Sequence, residues 1–125
     1  MDAQTTTVRI KHELRTPINH IVGYSELMME ECEGATEQQI AILQELSSSG
    51  QRLARLVEQV VAGAHAQAVP AGPHGEFLAV LDKIRGDLET LALTYAGKSE
   101  MRDLERIHSA VAQLAIALHG ISQSA

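Results

Sequence analysis

His12-Glu13-Leu14-Arg15-Thr16-Pro17-Ile18-Asn19, continued by His20-Ile21-Val22-Gly23-Tyr24-Ser25-Glu26-Leu27, is the stretch from which the rest of this 125-residue chain can be read. Leu14, Ile18, Ile21, Ser25, Met28 and Cys32 recur at alternating steps of four and three, the spacing of a helix that buries one seam. At about 100° per residue, His12, Thr16, Asn19 and Gly23 fall on the opposite side of that helix. His12 is therefore expected to face solvent, with the Thr16 hydroxyl one turn along on the same face. Pro17 removes a backbone donor just beyond this turn. A proline inside an apolar-periodic helix is costly, and here it follows the one histidine with an acid directly after it. The combination marks a chemical site.

The same periodicity organises the rest of the chain. Helix one is expected over about 7–33, with residues 1–6 polar and frayed. Gly34 then reads as a left-handed C-cap, and Thr36 with Gln39 as a capping box. Helix two, about 37–64, has the seam Ile40, Leu43, Ser47, Gly50, Ala54, Val57 and Val61, flanked by Leu46, Leu53, Leu56 and Val60. Residues 65–75 hold two of the three prolines and two glycines, which marks a linker. Helix three, about 76–95, has the seam Phe77, Leu81, Ile84, Leu88, Leu91 and Tyr95. Gly97 and Ser99 repeat the stop-and-restart chemistry as C-cap and N-cap. Helix four, about 100–121, has the seam Leu104, Ile107, Val111, Leu114, Leu118 and Ile121. Two tight turns and one longer connection make this an all-α, antiparallel four-helix bundle of two hairpins, 7–64 and 76–121, within one domain spanning 1–125.

Composition agrees and excludes other classes. Apolar residues make up 45% of the chain but aromatics only 2%, so the core is aliphatic and a sandwich or barrel is disfavoured. A formal net charge of -6 with no basic stripe excludes nucleic acid as a partner. Cys32 is the single cysteine, so no internal disulfide can form. No apolar run approaches the ~20 residues that span a bilayer, and Met1-Asp2-Ala3-Gln4 lacks the basic and apolar regions of a signal peptide. No membrane association and a cytoplasmic location are expected. No histidine pair has metal-ligand spacing, so no metal site is expected.

A shift of 63 residues places the seam of helix three on that of helix one, and pairs Gly23 with Gly86, Glu26 with Glu89, Gly34 with Gly97, Thr36 with Ser99 and Glu37 with Glu100. A shift of 64 superposes helix four on helix two. Any two heptad helices slide into register this way, since 63 is nine heptads. The glycines and caps are what favour an internal copy. The position matching His12 is Gly75, and no His-Glu-x-x-x-Pro occurs in the second half.

Residues 12–27 resemble the H-box of the dimerisation and histidine-phosphotransfer (HisKA-type) domain of sensor histidine kinases, whose pattern is His-Glu-Leu-Arg-Thr-Pro-Leu-Asn followed by Gly-Tyr-x-x-Leu. Ile18 replaces a leucine. Lys11 stands where a small residue is common, and a cation there can alter how a phosphate sits on His12. The resemblance covers roughly residues 8–62. It implies that His12 accepts a phosphoryl group, that Glu13 orients the ring and takes its proton, and that Thr16 places the water that hydrolyses an aspartyl phosphate on a receiver. An imidazole with the usual pKa near 6.5 is mostly unprotonated at pH 7 and so nucleophilic, and a carboxylate on one ring nitrogen leaves the other free to attack. The family hairpin dimerises into a four-helix bundle with two acceptors. If the second hairpin here is a copy, one chain forms one bundle with one acceptor, as in a monomeric histidine-phosphotransfer protein; the expected state is a monomer or a homodimer.

Residues 66–125 contain no asparagine box, no phosphate-cradling glycine loop and no strand pattern. No cofactor is expected to bind this chain, and ATP and Mg2+ act only through partners: an upstream kinase or ATP-binding domain in trans, and a response-regulator receiver domain. Helix geometry puts His12 level with about residue 58, which makes Asn19, His20, Gly23 and Leu27 with Arg55, Glu58 and Gln59 the candidate docking surface. Arg15 suits either a phosphate or a neighbouring acid. The other histidines are ordinary surface or linker residues by default. Ser47-Ser48-Ser49-Gly50 is either a hinge or a run of small residues for close helix approach. The functional expectation is a histidine-phosphotransfer module with possible receiver phosphatase activity. The rival is a dimerisation or docking scaffold without phosphoryl chemistry, which would need none of His12, Glu13 or Thr16.

Overall fold

The computed structural model describes residues 3–31, 35–65, 71–95 and 97–124, with side chains over 8–31, 35–59, 75–95 and 97–119. Four helices account for nearly all of it: α1 Ala3–Glu31, α2 Glu37–His65, α3 Ala71–Tyr95 and α4 Met101–Ser124. Each helix packs on its chain neighbours and α1 also packs on α4, which closes a ring. Ion pairs from Arg15 to Glu58 and from Glu45 to Lys83 run between antiparallel neighbours. The result is an up-down-up-down bundle made of two hairpins.

The expected seams are the core. Leu14, Ile18, Ile21, Ser25 and Met28 of α1, and Phe77, Leu81, Ile84, Leu88, Leu91 and Tyr95 of α3, are all buried. So are Leu104, Ile107, Val111, Leu114 and Leu118 of α4, with Ala110 added. On α2 the buried set is Gln39, Leu43, Leu46, Ser47, Ser49, Gly50, Leu53, Leu56 and Val57, while Ile40 is half-buried and Ala54 is exposed rather than on the seam. The stripe on α2 is wide enough that Leu53 and Leu56 fill the space, and Ala54 is turned out between them. Cys32, Gly34 and the side chains of Val60, Val61 and Ile121 lie outside the described residues.

Helix ends depart from expectation more than seams do. Helix α1 begins at Ala3 rather than near 7, and α4 runs to Ser124 rather than 121. Threonine and serine lower helix propensity by only tenths of a kcal/mol each, so helix nucleated in the packed part extends through them. Helix α3 begins at Ala71, five residues before the expected 76, so helix covers the second half of the 65–75 linker. Pro73 stands in its first turn, where the N–H it lacks would have no partner anyway. At the α3–α4 turn Gly97 takes the left-handed conformation expected of it, with φ +78°. The N-cap is Glu100 and not Ser99, because the Glu100 carbonyl accepts the first four-residue bond, from Leu104 N–H at 3.2 Å. The α2 capping box is formed: Gln39 N–H donates to Thr36 Oγ1 at 3.1 Å, and Thr36 N–H donates to Gln39 Oε1 at 2.9 Å.

Two diagonals of the ring differ. Helices α2 and α4 touch across the middle, while α1 and α3 do not. The small buried residues Ser47 of α2 and Ala110 of α4 accompany the closer approach along the α2–α4 diagonal. A two-fold axis down the bundle would relate α1 to α3 and α2 to α4, which is what the 63- and 64-residue shifts require. Gly50 closes the α1–α2 contact: a Cβ there would lie 2.6 Å from Val22 Cγ2. Of the two readings of the Ser47–Gly50 run, close helix approach is the one realised at Gly50.

Candidate functional site

The site is built on one turn of α1. His12 is exposed, and among the described residues none hydrogen-bonds or ion-pairs with its ring. Its neighbours on the buried side, Leu14 and Ile18, are fixed in the core, and Pro17 is buried with them. The turn therefore has an anchored inner face and a free outer one. Thr16 Oγ1 donates to the His12 carbonyl at 3.0 Å, a back-bond to the residue four earlier that holds the hydroxyl on the His12 side. Pro17 has no N–H to offer the Glu13 carbonyl.

Glu13 does not engage the imidazole in this conformation. Its carboxylate lies 3.7 Å from Arg9 Nε, with both side chains largely exposed. The Arg9-x-x-x-Glu13 spacing is an ordinary i,i+4 helix pair and was legible in the sequence. Pairs of this kind contribute about 0.3–0.5 kcal/mol, so the carboxylate is easily released.

The α2 side of the turn is closed by a three-residue ionic cluster. Lys11 Nζ lies 2.8 Å from Glu58 Oε2, and Arg15 Nη2 donates to Glu58 Oε1 at 2.7 Å. The Lys11 hydrogen bond, reinforced by the charges of Lys11 and Arg15, holds the Glu58 carboxyl below its ordinary range. Residue 58 is thus level with the His12 turn, as helix geometry implied. Lys11, expected to bear on a phosphate at His12, and Arg15, which suited phosphate or acid, both face the acid.

Of the expected docking residues, Asn19, His20, Gly23, Arg55, Glu58 and Gln59 are exposed and Leu27 is half-buried. They do not form one patch. His20 turns toward α4: its ring meets Tyr24 edge-on at 6.1 Å, and both line a groove with α4. Asn19 and Gly23 share the outer ridge with His12, and Glu58 looks across from α2. Sequence reading left out Tyr24, Arg102 and Arg106 on the α4 side, because a helical wheel gives a residue's angle but not which neighbour lies at that angle.

An exposed histidine, its adjacent acid and a hydroxyl one turn on are thus carried together on one turn of a helical bundle. Residues 8–66, just under half of the chain, match the profile of the His Kinase A (phospho-acceptor) domain, which is consistent with a HisKA-type dimerisation and phosphotransfer domain there. The matched region comprises most of α1 and all of α2, with His12 near its start. Domains of this family serve phosphotransfer and dimerisation in two-component signalling. No curated protein and no solved structure matches the chain. No helix among the described residues is long and apolar enough to cross a membrane.

Proposed function

We propose that the protein is a histidine-phosphotransfer module of a two-component or phosphorelay system, with His12 as acceptor and donor. The observation that carries this reading is the exposed, unbonded His12 ring inside the matched phospho-acceptor region. A scaffold would have no use for that ring.

The chemistry is a group transfer between a receiver aspartate and His12. A ring nitrogen attacks the phosphorus of the aspartyl phosphate. The N–P bond forms as the P–O bond breaks, and the carboxylate leaves with the bonding electrons. The proton on the second ring nitrogen passes to Glu13, once that carboxylate leaves Arg9, or to water. Transfer in the other direction reverses each step. Thr16, held beside His12, positions the water for hydrolysis of the receiver's aspartyl phosphate, and Pro17 fixes the turn that presents both. Charging of His12 occurs in trans, by an upstream kinase or ATP-binding domain that brings ATP and Mg2+, or by a phosphorylated receiver. The receiver docks around His12 through Asn19, His20, Gly23 and Leu27 of α1 and Arg55, Glu58 and Gln59 of α2, residues that the bundle spreads over more than one patch. Because one chain closes the ring of four helices, the working unit is a monomer with one acceptor.

The test uses receiver domains phosphorylated with acetyl phosphate, each mixed with the protein. The expected result is acid-labile, base-stable phosphate on the protein that His12→Ala abolishes. Thr16→Ala is expected to keep that label and to slow hydrolysis on the receiver. If no receiver labels the protein and His12→Ala leaves receiver dephosphorylation unchanged, the phosphotransfer reading is wrong.

A further inference from the structure

We infer that the groove between α1 and α4 seats an acidic surface of the receiver, so that the second hairpin supplies part of the docking site; this rests on the phosphotransfer reading of His12. The groove is open, about 470 Å³, and is lined by His20 and Tyr24 of α1 and by Arg102, Glu105, Arg106 and Gln113 among the α4 residues. Its two arginines differ in their partners. The Arg106 guanidinium lies over the Tyr24 ring at 5.4 Å and pairs along its own helix with Asp103 at 3.2 Å, which fixes its direction. Arg102 has no ionic partner among the described residues.

The other flanks differ. Beside His12 on the α2 side, Lys11 and Arg15 are both committed to Glu58. The α2–α3 groove also holds cations: Arg52 pairs with Glu76 and Lys83 with Glu45 and Asp87, while Arg55 has no ionic partner among the described residues. That groove also lies across α2 from α1. In a chain of net charge -6, the α1–α4 groove sets two arginines of α4 against one acid, Glu105, beside the helix that carries His12.

Its placement suits the reaction. Arg106 lies over Tyr24, which follows His12 by twelve residues, a rise of about 18 Å along α1, within the footprint of one docked domain. A receiver that presents an aspartyl phosphate to His12 is negative around that group. Cations at this remove attract that surface and fix its orientation without touching the reacting atoms. Arg102 and Arg106 are therefore positioning residues.

The test measures phosphotransfer with a receiver that labels the wild-type protein, comparing Arg102→Glu/Arg106→Glu with Lys98→Glu, an exposed charge outside the groove. The double variant is expected to raise the half-saturating receiver concentration by about tenfold and to leave the rate at saturation unchanged. It should also flatten the salt dependence, while Lys98→Glu changes neither. Arg102→Gln, which keeps the Arg106–Tyr24 contact, should give a smaller shift in the same direction. An unchanged half-saturating receiver concentration in both groove variants, with wild-type transfer intact, overturns this inference alone. Absence of wild-type transfer to any receiver overturns it together with the phosphotransfer reading.

Discussion

Hairpin one and hairpin two bury nearly the same register and expose different chemistry. Leu14, Pro17, Ile18, Ile21, Ser25 and Met28 are buried, and so are Phe77, Val80, Leu81, Ile84, Leu88 and Leu91, each 63 positions later. On the outer face the correspondence fails. His12 is matched by Gly75, Arg15 by Leu78 and Thr16 by Ala79, and Leu78 remains 43% exposed. A helix has room for both messages because its inner and outer faces are read by different neighbours. The inner face makes the bundle; of the two outer faces, that of α1 carries the His12, Glu13 and Thr16 set. The same asymmetry separates the buried positions that can be exchanged between hairpins from the exposed ones that cannot.

The largest expected effect is on the exposed side. His12→Ala should abolish phosphate uptake while changing stability by no more than about 0.5 kcal/mol, the usual range for a surface substitution without partners. Phosphate labelling and urea unfolding of the same variant check both halves. On the buried side, Ile18→Ala and Leu81→Ala occupy equivalent positions, at 1% and 0% exposure. Each should cost about 2–5 kcal/mol. If the hairpins form one cooperative bundle, both variants unfold in a single transition seen alike by helicity and by Tyr fluorescence. Two separated transitions would mean two weakly coupled hairpins.

A smaller contrast lies in the glycines. At Gly50 an added Cβ meets Val22 Cγ2 at 2.6 Å, whereas at Gly86 it meets nothing within 4 Å. Gly86→Ala should therefore stabilise by about 0.5–1 kcal/mol through helix propensity. Gly50→Ala has the same gain but must displace a β-branched side chain, an overpacking cost of about 1–3 kcal/mol, and should destabilise. Denaturant midpoints at constant m-value distinguish the two.

The smallest contrast is in pH dependence, where the hairpins have opposite signs. Glu58 has its carboxyl held down by Lys11 and Arg15. Its contribution to stability is present above the ordinary value of 4.5 and lost as pH falls through the lower folded-state value. Asp87 is the reverse: burial pushes its carboxyl up, against the pull of Lys83 and with the push of Glu45. Its charged form opposes folding, so this contribution is present below the ordinary value of 3.8 and lost as pH rises through the higher folded-state value. Glu58→Gln should remove part of the acid-side loss in Tm. Asp87→Asn should raise Tm at neutral pH, by about a degree or two given the partial exposure. A thermal melt series from acid to neutral pH reads both.

The seams were legible because burial follows a period that residue type alone reveals; Leu14 to Met28 and Phe77 to Tyr95 needed no tertiary information. The capping box at Thr36 and the left-handed Gly97 were legible for a similar local reason. What could not be read was set by neighbours. His20 faces α4 rather than the α2 flank because the hand of the ring decides which helix lies on which side. Ala54 is exposed because the larger Leu53 and Leu56 fill the interface on both sides of it. Glu13 pairs with Arg9, a local competitor visible at i,i+4 spacing but masked by the stronger pattern of the His-Glu dipeptide. Helix ends at Ala3, Ala71 and Ser124 escaped because end residues differ from loop residues by only tenths of a kcal/mol.

The most direct measurement is native mass spectrometry of the protein at neutral pH after incubation with a phosphorylated receiver. One acceptor in a bundle closed by a single chain predicts a 13.5 kDa monomer carrying at most one phosphate, with the added mass absent from His12→Ala. A dimer carrying two phosphates would contradict the one-chain bundle, and a phosphate that persists in His12→Ala would contradict the acceptor.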